Sequence, residues 1–590
     1  MSTTDQLLDT AFTAYNAADY GRAEELAREV LAVEPSHGDA LYLLGLTAFQ
    51  ANALEPAAKI LYSAVKLYPN VESYALALAS VLHRQKHYDE ALGFYEKYKN
   101  RPHVLSQMGI IYAQKGQNEW AKSAFNEALK LNKADSAALI GLAQLAQKEG
   151  DAAEAEKYLR DAQRLCPCAD VYYRLAVSAR EANRLDEAAD FIQKALQSEQ
   201  KAVYLNEYGL ILEQGGDLDG ALEKYIEASR LNAYYADAYA NQGNIYLKKG
   251  DKELAEDAYK RALANDRDFL AVHHNLAVLL FEQGRKAESL GHYQEAVIID
   301  PKHVPSIYNL AMILEEMGDY SEAAGLYFNA LVLGLKTKEL DLRIAATLTG
   351  LYKMGKAAQK QALEFAKGWV KNFPDNPVAK HTLAALGGKK DSQAAAYAKE
   401  LFDAFAPTYE ATVQKLQSKA VSTVVEMLGD KSYKTVLDLA CGTGLFAAAF
   451  KGHYNSIVGV DISEEMLKKA VETKLYKKLI NEPVETFLAS NKQKFELIVT
   501  IEMLGYLDNP SVLFAGIRNH LTKNGRFALT VETAEKHNEL SVSGRYLYTA
   551  GYIEKQLQSN GFKILSRQTA DLRKEDSGMA KGEIILAALA

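Results

Sequence analysis

The stretch ANQGNIYLKKGDKELAEDAYKRA, residues 240–262, decides the fold of most of the chain. It reads as helix, short turn, helix. Gly243 is a small residue on the first helix, Gly250-Asp251 is the turn, and Ala255, Tyr259 and Ala262 follow on the second. The same pattern runs both ways from here. The first small position recurs at Ala11, Gly45, Ala79, Gly109, Ala143, Ala176, Gly209, Gly243, Ala277 and Ala311, most often 34 residues apart. Twelve residues later stands another small one, from Ala23 to Ala323. Four further on an aromatic is common, as at Tyr95, Phe125, Tyr225, Tyr293 and Tyr327. Several units close with a helix-stopping proline: Pro35, Pro69, Pro167 and Pro301. Small residues let two helices approach closely. The aromatic is expected to fill the gap between neighbouring pairs. That accounts for the abundance of alanine and for 35 tyrosines.

Repeats of this period and pattern resemble the tetratricopeptide repeat. The resemblance implies an all-α superhelical solenoid with a groove lined by the first helices. A looser eleventh unit is expected over 335–376 and a capping helix over 378–386, so that the array spans 1–386. Two residues before the small position, three successive repeats carry asparagine: Asn241, Asn275 and Asn309. A side-chain amide both donates and accepts, so a ladder of them suits the backbone of an extended peptide. Some peptide-binding members of the family use asparagines there in that way. The alternative is that these amides point into water. Earlier repeats place Leu43, Ala77, Gln107, Gly141, Arg174 and Glu207 there, which confines any ladder to the later repeats. Residues 387–394 read as a linker. The run Gly387-Gly388-Lys389-Lys390-Asp391-Ser392 suits a flexible hinge or a tight packed turn.

Beyond Thr435 the pattern changes to apolar strands alternating with amphipathic helices. Strands are expected at 435–440, 456–460, 496–501, 525–531, 562–568 and 582–588, with a short one near 477–481. Such alternation argues a parallel α/β sheet. The first strand runs into Asp438-Leu-Ala440-Cys441-Gly442-Thr443-Gly444, and the second ends at Asp461-Ile462. Glycines let a backbone approach a ligand closely. An acid after the second strand can accept both hydroxyls of a ribose. The loop lacks a third glycine and a phosphate-binding lysine, which disfavours a pyrophosphate.

This segment resembles motif I of class I S-adenosylmethionine-dependent methyltransferases, and the likeness extends over 395–590. It implies a Rossmann-like domain that binds S-adenosylmethionine through Asp438, Ala440, Cys441, Gly442, Gly444, Asp461 and Ile462. An acid after the third strand, Glu482 or else Glu485, would meet the adenine. Glu502 and Tyr506, after the fourth strand, would face cofactor and substrate. More narrowly, the stretches 400–409 and 543–548 resemble predicted methyltransferases that carry tetratricopeptide repeats. By that likeness Phe405 and Tyr409 lid the cofactor and Arg545 lies on the substrate side, the alternative being that Arg545 and Tyr546 are structural; Tyr506, Tyr546 and Tyr548 are candidates to line the acceptor's path. Related sequences often have histidine where this one has Tyr548, and an ordinary tyrosine, with a pKa of about 10, is a poor base near neutrality.

The 590 residues suggest about four domains at roughly 150 residues each. Periodicity reduces that to two unequal parts. A net charge of −8 gives no footprint for nucleic acid. Three scattered cysteines make neither a disulfide framework nor a zinc set, and no metal is expected. No secretory signal and no membrane span is read, so the expected location is cytoplasmic. The expected function is methyl transfer to a protein or peptide recruited by the repeats, with a side-chain nitrogen such as that of lysine as acceptor. A small-molecule or glycan methyltransferase and a non-catalytic scaffold are the alternatives. The oligomeric state is not legible.

Overall fold

The computed structural model describes residues 3–389, 391, 393–535, 538–575 and 578–590. The chain divides into two compact units, Met1–Arg267 and Asp268–Ala590. No helix among the described residues is long and apolar enough to cross a membrane.

The first unit is built of helix pairs, from Thr3–Asn16 with Tyr20–Val33 to Ala236–Lys249 with Lys252–Asn265. Turn chemistry sets the joints. Gly150 closes the helix Ser136–Glu149 in the left-handed region at φ 83°, and the Asp151 side chain accepts from Glu154 N at 2.9 Å to open the next. The small positions are set by contact. A Cβ at Gly243 would lie 2.5 Å from the Tyr259 ring, and one at Gly209 would lie 2.4 Å from Tyr225. The aromatic therefore fills the gap inside its own pair first, which corrects the expectation that it bridges neighbours. Phe125 does both, pressing on Gly109 of its own repeat and Gly141 of the next. Tyr225 and Tyr259 are fully buried, and their hydroxyls donate to Glu213 and Asn244 at 2.7 Å. Asn241 spends its amide on the buried Asn206 one repeat back, at 3.0 Å.

The second unit continues the repeats from Leu270–Glu282 through Lys338–Lys353 and Lys356–Asn372, closed by the helix Pro377–Leu386. Within it, Asn309 donates to the Tyr293 hydroxyl at 3.0 Å. Helices Ala394–Phe405 and Tyr409–Lys415 lead into a sheet domain. Its strands are β1 (Tyr433–Leu439), β2 (Tyr454–Asp461), β3 (Lys478–Asn481), β4 (Phe495–Thr500), β5 (Leu521–Glu532), the short β6 (Glu539–Leu540) and β7 (Tyr546–Leu547), β8 (Phe562–Glu575) and β9 (Gly578–Leu589). Seven of them form one sheet in the order β3-β2-β1-β4-β5-β9-β8, and β6 pairs with β7 alone. The first five are parallel, whereas β9 runs antiparallel to both β5 and β8. The wholly parallel reading is corrected there. β8 and β9 are consecutive and pair end to end, and an antiparallel pair needs only a short turn where a parallel one needs a crossover. The central strands carry buried residues toward both faces, among them Leu437, Leu439, Val458, Val460 and Ile498. Strand order reverses at β1, which opens a crevice past the carboxyl ends of β1, β2 and β4.

The segment read as a linker is tied down at Asp391. Asp391 Oδ2 meets His381 Nδ1 at 2.7 Å, and its backbone exchanges hydrogen bonds with the Tyr546 hydroxyl. His381 is buried, stacks on Tyr397 at 4.0 Å and reaches the Gly544 carbonyl at 2.8 Å. These contacts favour the packed turn over the hinge at Asp391. Lys390 and Ser392 lie outside the described residues.

Candidate active site

The crevice holds a cavity of about 200 Å³, lined by Ala440, Gly442, Asp461, Ile462 and Glu502 on the sheet side and by Phe402, Phe405 and Tyr409 on the helical side. The loop after β1 takes left-handed backbone at Ala440 (φ 60°), Gly442 (φ 53°) and Gly444 (φ 92°). Gly442 N then points at Asp461 Oδ2, 2.8 Å away, and Ser463 N donates to Asp461 Oδ1 at 2.9 Å. A carboxylate has about four lone-pair sites. The N–H groups of Ser463, Gly442 and Ile462 all bear on this one, which lines the cavity. Burial pushes this carboxyl up, and the N–H groups of Ser463 and Gly442 pull it back.

Not every loop residue faces the cavity. The Cys441 side chain turns under the loop, where a Cβ on Gly459 would lie 2.8 Å from its Sγ. Asp438 is buried behind it and accepts from the Tyr476 hydroxyl at 2.7 Å. Gly444 sits beside Tyr476, away from the lining. After β3, Glu485 in the first turn of the helix Val484–Ser490 lines the cavity and Glu482 does not. Pro483 begins the helix between them and swings the later acid inward. Phe405 and Tyr409 do lie over the loop, with Tyr409 Cε1 4.0 Å from where Gly442 would carry a Cβ.

The far wall carries a charged cluster. Glu502 follows β4 at φ 56°, an unusual backbone for a non-glycine residue, held by its N–H on Thr530 Oγ1 at 2.7 Å. Among the described residues Glu502 Oε1 is buried without a hydrogen-bond partner, while Oε2 lies 3.9 Å from Arg545 Nη2. Arg545 donates to Glu532 Oε2 and to the Tyr506 hydroxyl, each at 3.0 Å. Arg573, on β8, shares the same Glu532 oxygen at 2.9 Å. Burial raises Tyr506, and Arg545 pulls it down. Tyr546 and Tyr548 are outside the lining. The Tyr546 hydroxyl donates to the Asp391 carbonyl at 3.2 Å, and that of Tyr548 donates to the Leu507 carbonyl. Their expected place on the acceptor's path is corrected: both hydroxyls are committed to backbone.

Residues 412–567 match the family model described as a methyltransferase domain. Residues 107–167, 140–203 and 240–304 match a tetratricopeptide repeat model, 292–324 match a second one, and 16–98 match the model of anaphase-promoting complex, cyclosome, subunit 3. The chain is a tetratricopeptide-repeat protein with a methyltransferase domain. That domain is 30% identical over 176 residues to a ubiquinone biosynthesis O-methyltransferase of Thiobacillus denitrificans, covering 29% of this chain and 67% of that protein. It is 26% identical over 168 residues to a release factor glutamine methyltransferase of Fusobacterium nucleatum, covering 25% and 46%. The repeats are 27% identical over 278 residues to a TPR repeat-containing protein of Methanocaldococcus jannaschii, covering 43% and 48%. The chain spans about half, or less, of the length of such repeat-containing relatives.

In this methyltransferase domain, sequence reasoning missed Arg573 and gave Glu532 no role. The strand expected at 562–568 is β8, and it runs to Glu575. No local pattern marks which of its side chains reaches the cavity. Asp438 has a measurable signature of its own. Burial pushes its carboxyl up to about 7, the Tyr476 hydroxyl pulls against that, and the Asp461 charge adds to the rise. The folded chain thus holds the proton more tightly than the unfolded chain, where the aspartate pKa is about 3.9. The stability this contributes is complete below about pH 4 and is lost as pH rises through about 7. Asp438→Asn, which keeps an acceptor for Tyr476, should escape that loss. The thermal midpoint of the variant minus that of the wild type is expected to grow between about pH 5 and pH 8. A difference constant with pH would refute the assignment.

Proposed function

We propose that this chain is an S-adenosylmethionine-dependent methyltransferase in which an array over residues 1–386 recruits a protein or peptide and the domain over 395–590 methylates a side-chain nitrogen, such as that of lysine. The single observation behind the acceptor class is Glu502 Oε1, a buried acceptor on the cavity wall without a partner. Leaving such an atom unpaired costs about 1–3 kcal/mol, more when it is charged, so the arrangement calls for an N–H or O–H donor from outside the chain.

The cofactor residues fit their role by their chemistry. Ala440 and Gly442 present little or no side chain to the ligand, Asp461 brings a carboxylate to the cavity wall for the ribose hydroxyls, and Glu485 can meet the adenine amino group. S-adenosylmethionine, when bound, supplies a methyl already made electrophilic by its sulfonium. The protein's share is alignment and exclusion of water. Phe402, Phe405 and Tyr409 cover the crevice, Glu502 takes or orients the acceptor's proton at Oε1, and Arg545 holds the neighbouring Oε2 side. Tyr506, hydrogen-bonded by Arg545, stays protonated near neutrality and fixes the wall.

A small-molecule acceptor is the second reading, supported by the apolar lining at Val413, Leu416, Met503 and Leu507. Incubation of the full chain with labelled S-adenosylmethionine and host lysate separates the two. Label is expected in protein, and label confined to low-mass material would defeat the protein reading.

A further inference from the structure

We propose that Asp403 is a positioning residue for the bound cofactor, and that Lys338 in the last repeat sets it. The inference rests on the S-adenosylmethionine reading above. Asp403 stands on the helix Ala394–Phe405, away from the cavity lining, and is buried. Its Oδ2 receives the Nζ groups of Lys338 and Lys399, each at 2.8 Å. Its Oδ1 accepts from the Ser463 hydroxyl at 2.6 Å. Ser463 is fully buried and caps the helix Glu464–Glu472, its Oγ accepting from Met466 N at 3.1 Å. A serine hydroxyl has a single proton, and this one is given to Asp403. The Ser463 N–H in turn goes to Asp461 Oδ1 at 2.9 Å, and the other Asp461 oxygen holds Gly442 N.

The hydrogen bonds therefore connect the repeat array, through the helix that covers the crevice and through Ser463, to the acid that would take the ribose. Burial alone would raise the Asp403 carboxyl, but Lys338, Lys399 and Ser463 outweigh it and hold it well below the usual carboxylate range. Asp403 is thus a fixed anion on which Ser463 can be oriented. Lys338 opens the helix Lys338–Lys353 of the array, and Thr349 on that helix shares its hydroxyl proton between the Ala345 carbonyl at 2.9 Å and the Val542 carbonyl at 3.2 Å. His381 reaches the Gly544 carbonyl, next to Arg545. The last repeats thereby brace both walls of the crevice without lining it.

The test uses the full chain and titrates S-adenosylmethionine by calorimetry. Asp403→Ala is expected to weaken binding about tenfold or more, the scale of a lost charge-assisted hydrogen bond. Lys338→Met, at a side chain 46% exposed, should weaken it about threefold or more while the thermal midpoint moves little. Lys338→Arg should restore affinity to within about twofold. Wild-type affinity in both Asp403→Ala and Lys338→Met would overturn the inference. So would a reduced binding-competent fraction with unchanged Kd, since that is what a purely structural role gives. If the wild-type chain itself fails to bind, the cofactor reading falls, and this inference with it.

Discussion

Asp461→Ala is expected to weaken S-adenosylmethionine binding by about 100-fold or more. Hydrogen bonds to a charged acceptor contribute about 1.5–3 kcal/mol each, and each 1.4 kcal/mol is tenfold in Kd. Two such bonds to a ribose diol would be lost together. The same change strips Gly442 N and Ser463 N of their acceptor, so the loop after β1 loses the bond that aims it. Asp461→Asn keeps an acceptor oxygen and should fall between wild type and alanine. Calorimetry on the full chain reads the effect directly. Wild-type affinity in the alanine variant would remove the basis for placing the cofactor in this crevice.

Glu502→Gln should lower methyl transfer to the lysate acceptor by about 10²–10⁴-fold, the usual contribution of a positioned acid or base. Affinity for S-adenosylmethionine should stay within about threefold of wild type. Glutamine has the same size and meets the same backbone constraint at φ 56°, so the comparison isolates the carboxylate. The amide cannot accept a proton near neutrality. Single-turnover label transfer with saturating cofactor is the measurement. An unchanged rate would mean that Oε1 plays no part in handling the acceptor.

What the sequence made legible follows from how far each signal depends on the chain alone. The array is legible because a close approach at Gly209 or Gly243 is satisfied by a ring at a fixed offset in the same repeat. The sheet is legible because β1, β2 and β4 are buried on both faces and read as apolar runs. Side-chain direction is another matter. Cys441 and Asp438 belong to the glycine loop by position, yet one turns under it and the other turns to Tyr476. Tyr546 and Tyr548 sit beside Arg545 in the chain, but their hydroxyls are spent on Asp391 and Leu507. Asn241 fits a peptide ladder by register, and its amide is already given to Asn206. Arg573 reaches the cavity from a strand far along the chain, and that proximity exists only after the antiparallel return of β8 against β9.

Repeat arrays ordinarily change length with little penalty, because each unit touches only the next and a unit can be gained or lost without disturbing distant ones. The last repeats have given up that freedom. They fold as one compact body with the methyltransferase domain, and Lys338, Thr349 and His381 hold specific atoms within it. Deleting the unit that carries Lys338 and Thr349, or the helix that carries His381, would remove those anchors, whereas an edit before Arg267 leaves them in place. The part of the array tied to the methyltransferase domain therefore begins by Lys338, inside the repeats and ahead of the place where their pattern ends.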